Sequence, residues 1–312
     1  MQLVEEILKG NIRALSKAIS LVENRHHQSE DILSEIFPHT GKGYLIGVTG
    51  APGSGKSSLV DRMIAYYRQE GKSVGVIAVD PSSPFSGGAL LGDRIRMQEH
   101  SIDPGVFIRS MGSRGSLGGL SQAARDTARL MDAFGKDIII LETVGVGQSE
   151  VEVMNVAHTV LVVLTPNSGD TIQILKAGIM EIADLFVINK SDLDGAHKVK
   201  NEVEAYLKLK AAQGWQVPVF PVMSLTGEGV SALCEGIYLH RDYLYTKGVW
   251  EKKLGGRLRN EVVQITMEKV MSYVTSCLND DDWKDLLSKM DRHQVSPYQV
   301  ADKVAKILLG IS

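Results

Sequence analysis

The 312-residue chain has little of what staples, anchors or electrostatically steers a protein. Its two cysteines, Cys234 and Cys277, lie far apart in no CxxC or Cys/His arrangement, which points to a reducing compartment and argues against structural zinc. No apolar run approaches the length of a membrane span. The opening residues, MQLVEEILKG, are acidic and amphipathic, without the basic start and continuous apolar core of a secretory signal. Basic excess is missing too: 34 Lys and Arg stand against 37 Asp and Glu, so no global positive field invites nucleic acid or an anionic membrane. Tandem repeats and low-complexity segments are absent. These absences lead to the expectation of a cytoplasmic protein with no nucleic-acid and no membrane partner. What is present is a 44% hydrophobic, 23% charged composition, enough for one large or two modest globular units.

Apolar positions Leu8, Ile12, Leu15, Ile19 and Val22 recur at helical spacing, so residues 1–40 read as a helical extension ending near Phe37-Pro38. From Tyr44 the pattern changes to short apolar runs alternating with amphipathic stretches. Strands are expected at Tyr44–Val48, Val74–Val79, Val106–Ile108, Ile138–Leu141, Thr159–Leu164, Leu185–Ile188 and Val219–Val222. Nearly unbroken Val/Ile runs suit strands buried on both faces of a parallel sheet. Helices are expected at Lys56–Gln69, Leu120–Phe134, Ile172–Ile182 and His197–Ala212, which makes residues 41–245 a doubly wound α/β domain. Beyond residue 246 strands stop, and Val263, Met267, Val270 and Val274 keep a 4-3-4 spacing. That tail, 246–312, reads equally as helices packed on their own domain or as a dimerisation arm.

The first expected strand runs into Gly50-Ala51-Pro52-Gly53-Ser54-Gly55-Lys56-Ser57, a complete GxxxxGK[ST] between a strand and a helix. The backbone from Gly53, Ser54 and Gly55 into Lys56, Ser57 and Ser58 would cradle phosphate at a helix N-terminus. Lys56 would reach the β- and γ-phosphates, and the Ser57 hydroxyl would ligate Mg²⁺. At the end of the sixth strand stands Asn189-Lys190-Ser191-Asp192. The Asp192 carboxylate can accept from guanine N1–H and its exocyclic amine, a pair of donors that adenine does not offer. Asn189 can brace the loop, the Lys190 stem can lie against the base, and a backbone N–H in Ser224-Leu225-Thr226 can meet guanine O6. Three ordered elements on one sheet edge favour GTP over ATP.

Asp80 closes the second strand and Asp93 follows a Gly/Ser/Pro-rich loop. Asp80 fits a carboxylate for Mg²⁺ or its waters, or a turn-starting Asp before Pro; Asp93 fits the same metal role, or a helix cap. Glu142 belongs to the same layout at the end of the fourth strand, in LETVGVGQSE, its extra methylene letting it reach a metal-bound water. Gly145 and Gly147 leave N–H groups free to approach a γ-phosphate. Gln148 can orient an attacking water, although its offset from Gly145 differs from the adjacent Gly-Gln pair of Ras-like proteins.

The ordered set GAPGSGKS, DPSSPFSGGALLGDRIRM, LETVGVGQSE and NKSD resembles the MeaB/ArgK-type GTPases of the SIMIBI class of P-loop proteins, over essentially the whole chain. The resemblance implies a GTP/GDP- and Mg²⁺-binding chaperone that gates cofactor loading and protects an adenosylcobalamin-dependent acyl-CoA mutase of the methylmalonyl-CoA mutase type. It places Asp80, Asp93 and Glu142 around the metal and its waters. It makes the tail a homodimerisation arm, and it makes Asp170, Gln173 and Lys176 a switch coupling nucleotide state to the mutase. Asn167-Ser168 departs from the smaller residues expected before Gly169-Asp170. Slow intrinsic hydrolysis is expected, since no arginine can be assigned to the transition state from among Arg94, Arg109 and Arg114. A metal-insertion GTPase for a nickel enzyme is the alternative, but it would want a His-rich tract or Cys/His pair, and the chain offers only His26-His27. A P-loop kinase would need an acceptor-binding domain, and the protein-kinase signatures are missing.

Overall fold

Each expected apolar run becomes a strand of one parallel sheet in the computed structural model, which describes residues 2–80, 100, 102–112, 117–143, 156–166, 179–209, 214–279 and 281–309. The strands are β1 (Tyr44–Gly50), β2 (Val74–Asp80), β3 (Val106–Gly112), β4 (Ile138–Thr143), β5 (Thr159–Leu164), β6 (Leu185–Asn189) and β7 (Val219–Val222), in spatial order β3-β2-β4-β1-β5-β6-β7. All pairings are parallel, with Val48 opposite Glu142 and Gly50 opposite Val163. The chain winds one way from β1 to β2 and the other way to β5, so β1 sits at the switch point where such sheets bind ligands beyond their carboxyl ends.

Burial follows from the pleat. On β1, Tyr44, Ile46 and Val48 face the layer that holds α4 (Lys56–Gln69) and α8 (Val230–Thr246), through Leu59, Met63, Ile64, Leu233 and Ile237. Leu45 points to the opposite layer. That layer contains α1 (Gln2–Leu8), α2 (Ile12–Glu23), α3 (Ser29–Ile36), α5 (Leu117–Ala133), the short α6 (Ile179–Ile182) and α7 (Ala196–Leu209). Full burial of an aliphatic side chain such as Leu15, Ile19 or Ile77 contributes roughly 1.5–3 kcal/mol.

Two expectations change in detail. The helical extension is three helices, because Gly10 turns at φ 84° and Asn11 caps α2, its Oδ1 accepting from Arg13 N–H at 2.9 Å and Ala14 N–H at 3.3 Å. Leu8 and Ile12 therefore leave the apolar stripe and are exposed, while Val4, Ile7, Ala14 and Ala18 join Leu15, Ile19 and Val22 in the core. The second change is β3, which continues past Ile108 to Gly112 because it pairs with β2 residue for residue along the sheet edge. Its half-buried Arg109 and Ser110 interrupt the apolar run, not the strand. Of the stretch expected as helix at Ile172–Ile182, residues 172–178 lie outside the described residues.

The extension is tied to the sheet by charge as well as by packing. Arg109 on β3 pairs with Glu23 on α2 and donates to Ser20 Oγ at 3.1 Å. The Asp132 carboxylate near the end of α5 accepts from three successive backbone N–H groups, Gly41, Lys42 and Gly43, at 2.5, 3.1 and 2.7 Å. Replacing Asp132 with alanine should cost about 1–3 kcal/mol, since it strands donors at the junction of extension and β1. Urea denaturation followed by tryptophan fluorescence measures this, and a midpoint unchanged from wild type would show the carboxylate to be idle. On the α4/α8 face, burial pushes the Cys234 thiol up to about 12 against a lowering hydrogen bond with Tyr67, so it stays protonated and unreactive at neutral pH.

The chain divides into two compact units, residues 1–244 and 245–312. The second consists of the 31-residue α9 (Val249–Asn279), α10 (Asp281–Asp291) and α11 (Pro297–Leu309), with its own small core of Trp283, Val300 and Val304 joined by Val274 and Leu278. On α9, Val263, Met267 and Val270 are 56%, 63% and 41% exposed, whereas Val274 belongs to that core. Among the described residues no helix is long and apolar enough to cross a membrane.

Candidate nucleotide-binding site

The loop between β1 and α4 is shaped by backbone that only glycine takes easily. Gly50 sits at φ 151°, where a Cβ would run into the Val163 carbonyl of β5; Gly55 sits at φ 85°, where a Cβ would strike Asn189 Nδ2. Gly55 is also the N-cap of α4 and supplies no side-chain cap, so first-turn N–H groups are left for a ligand at the positive end of a 14-residue helix. Lys56 is buried and its ammonium donates to the Gly50 and Ala51 carbonyls, both at 2.9 Å. Ser54 Oγ is buried there with no hydrogen-bond partner.

Ser57 and Glu142 meet at the carboxyl end of β4, the hydroxyl donating to Glu142 Oε1 at 2.7 Å with both residues buried. Thr143 Oγ1 donates to Thr49 Oγ1 at 3.1 Å and so links the ends of β4 and β1 immediately behind the loop. These two threonines carry no motif, and nothing marks them in the sequence beyond their positions next to Gly50 and Glu142. The backbone of Asp80 closes β2 opposite Gly112. Asp93, Gln148, Asp170, Gln173, Lys176, Arg94 and Arg114 lie outside the described residues. Arg109, one of the three arginines considered for the transition state, is held on the extension by Glu23. Among the described residues no group of three His, Cys, Asp or Glu forms a metal cluster.

The elements expected to read the base converge on the same loop from the other side. Asn189, 1% exposed at the end of β6, donates through Nδ2 to the Ser54 carbonyl at 2.7 Å, while its Oδ1 accepts from Ser224 N–H at 3.1 Å and Ser224 Oγ at 2.6 Å. One amide thus spans the phosphate loop and the loop after β7. Lys190, at φ 55°, reaches back with Nζ to the Gly53 carbonyl at 3.1 Å. Asp192 is exposed, on a turn held by Ser191 N–H on the Val222 carbonyl and Leu193 N–H on the Lys190 carbonyl. Leu225 is 80% exposed, and Thr226 Oγ1 donates to the Met223 carbonyl at 3.3 Å. The sequence did not single out Arg62 on α4, which donates to the Ser224 carbonyl at 3.2 Å and the Leu225 carbonyl at 2.7 Å.

A parallel sheet with its glycine-rich loop at the switch point, a lysine and serine opening the next helix and a carboxylate closing the adjacent strand define a P-loop nucleotide-binding protein. Residues 15–279 match the family model described as methylmalonyl Co-A mutase-associated GTPase MeaB, and the chain belongs to this family. It is 46% identical over 313 residues to a provisionally named GTPase of Pyrococcus horikoshii, covering 99% of this chain and 98% of that protein. The Escherichia coli GTPase ArgK is 39% identical over 78% of this chain and 77% of its own. A Caenorhabditis briggsae mitochondrial protein, the methylmalonic aciduria type A homolog, is 33% identical over 87% of this chain and 71% of its own. Among solved structures, a LAO/AO transport system kinase superposes with a TM-score of 0.72 at 27% identity, covering 99% of this chain and 97% of that one.

Proposed function

We propose that the protein hydrolyses GTP slowly, with Mg²⁺, and that its nucleotide state governs an adenosylcobalamin-dependent acyl-CoA mutase of the methylmalonyl-CoA mutase type. The observation that carries the nucleotide half is Asn189, whose single buried amide fixes the phosphate loop and the base loop together. The mutase half rests on the family and on the names of the relatives.

The residues fit a small divalent cation. The Ser57 hydroxyl and Glu142 carboxylate are hard oxygen donors, 2.7 Å apart and buried where the phosphate loop meets β4. Ser57 would hold Mg²⁺ directly and Glu142 through water, with Asp80 and Asp93 completing the set. When bound, the cation would neutralise charge on the β- and γ-phosphate oxygens. The chain's own part is positioning. The N–H groups opening α4 receive phosphate, Lys56 transfers its ammonium from the loop carbonyls to the phosphates, and Asn189 and Asp192 fix the guanine. Gln148 orients water, and Asp170, Gln173 and Lys176 carry the state to the partner. Slow turnover in the free protein is expected because no arginine is assigned to the transition state, Arg109 being engaged by Glu23 and Arg94 and Arg114 lying outside the described residues, and a partner would speed it by ordering the switches. The exposed Val263, Met267 and Val270 support dimerisation through α9.

A phosphotransferase on a transport system is the other reading, suggested by the name of the superposed kinase. Phosphate released as free inorganic ion, with no phosphorylated acceptor, separates the two. The decisive assay follows GTP turnover with and without purified acyl-CoA mutases. The rate should rise and a complex should co-elute with one of them. If no mutase alters turnover or co-elutes in any nucleotide state, the regulatory reading is lost.

A further inference from the structure

We infer that Arg62 is a positioning residue for guanine, setting the loop after β7 from the helix that follows the phosphate loop. This rests on the nucleotide reading above and adds a specificity determinant to it. Arg62 stands on α4 one turn beyond Ser58, outside the inward face formed by Leu59, Met63 and Ile64. Its guanidinium takes two consecutive carbonyls, Ser224 at 3.2 Å through Nε and Leu225 at 2.7 Å through Nη2. Its stem runs along Gly227, where Cδ is the nearest atom to a Cβ built on that glycine, at 3.8 Å.

A trans peptide holds its N–H antiparallel to its C=O. Turning the Ser224 and Leu225 carbonyls onto Arg62 therefore turns the Leu225 and Thr226 N–H groups the other way. Neither N–H donates a hydrogen bond among the described residues, whereas Ser224 N–H, Gly227 N–H and Glu228 N–H are all engaged. Asn189 holds the loop at Ser224 N–H while Arg62 holds it at the next two carbonyls, so the geometry of the free pair is fixed from both ends. Two adjacent, pre-aimed donors suit a carbonyl oxygen on the base: O6 of guanine accepts from them, whereas the 6-amino group of adenine would present donor to donor. The same guanidinium ties the helix after the phosphate loop to the base loop.

The test compares affinities for GDP and for 6-thio-GDP, which keeps N1–H and the 2-amino group but replaces O6 with a poor acceptor. Arg62→Met keeps the stem over Gly227 and removes the fork; Arg62→Lys keeps the charge but cannot grip two carbonyls in a plane. Wild type should prefer GDP. Arg62→Met should weaken GDP roughly tenfold, the size of about one hydrogen bond, while 6-thio-GDP changes little, so the preference collapses, and Arg62→Lys should recover part of it. Equal losses for both ligands would mean general loosening of α4 and would overturn the inference, as would no loss at all. Failure of the underlying reading looks different: Asp192→Asn would then also leave GDP affinity untouched. If Asp192→Asn weakens GDP but wild type does not distinguish the thio analogue, only the role of Arg62 and the N–H pair is lost.

Discussion

Replacing Lys56 with alanine should reduce GTP turnover by about 10²–10³-fold, the usual scale for removing one donor aimed at developing charge. In the structure the ammonium is buried against the Gly50 and Ala51 carbonyls, which keep a positive charge inside the loop at the point where phosphate oxygens would enter. A γ-phosphoryl group in flight gathers negative charge on its equatorial oxygens, and a lysine already poised within the cradle needs only a short swing to meet it. The variant should still fold, because the loop is also held by Asn189 on the Ser54 carbonyl and by Lys190 on the Gly53 carbonyl. Arginine should not substitute, since a planar fork demands room that the crowded backbone around Gly50 and Gly55 does not offer. Single-turnover hydrolysis with a parallel melting curve checks this. Activity within roughly threefold of wild type, in a folded variant, would remove the loop from the phosphate site.

Changing Asp192 to asparagine should weaken GDP by about two orders of magnitude, the combined worth of two charge-assisted hydrogen bonds, and make xanthosine diphosphate the better ligand. Guanine offers Asp192 two donors, N1–H and the 2-amino group. Xanthine keeps N1–H but carries a carbonyl at position 2, so it repels a carboxylate and matches an amide, with one acceptor and one donor. The substitution is structurally quiet: Asp192 is exposed, and its turn is held by the backbone of Ser191 and Leu193 instead. Titration of both nucleotides against both proteins measures the inversion. Unaltered preference for GDP would place guanine recognition elsewhere.

The sheet is legible because a strand covered on both faces is mostly apolar, its few polar side chains standing near its ends: Ile138–Leu141 and Thr159–Leu164 announce themselves. Where a strand lies at the edge this signal fades, which is why only Val106–Ile108 of β3 stands out in the sequence while pairing carries the strand to Gly112. The extension misled for another reason. Leu8, Ile12 and Leu15 keep helical spacing across Gly10-Asn11, and only the positive φ and the asparagine cap reveal that the chain stops and restarts there. At the site, the phosphate loop and Asn189-Lys190-Ser191-Asp192 were readable because their chemistry demands fixed residue types at fixed spacing. Arg62, Thr49 and Thr143 were not, since each acts by meeting backbone or side chain from a distant part of the chain, a coincidence that folding alone creates.

The amide of Asn189 joins residues 135 positions apart to close the phosphate loop, and needs Ser224 to orient it. A chain emerging from the ribosome folds from its amino end, so it displays a finished GxxxxGK[ST] sequence long before β6 and β7 exist. Until Ser224 is out, the loop has neither its brace nor a base site beside it. On the proposed reading, the nascent protein would therefore be without its base site for most of its synthesis and would acquire it in one late step. A ribosome-bound fragment ending before β7 would carry every residue of the phosphate loop and still fail to tell one purine from another.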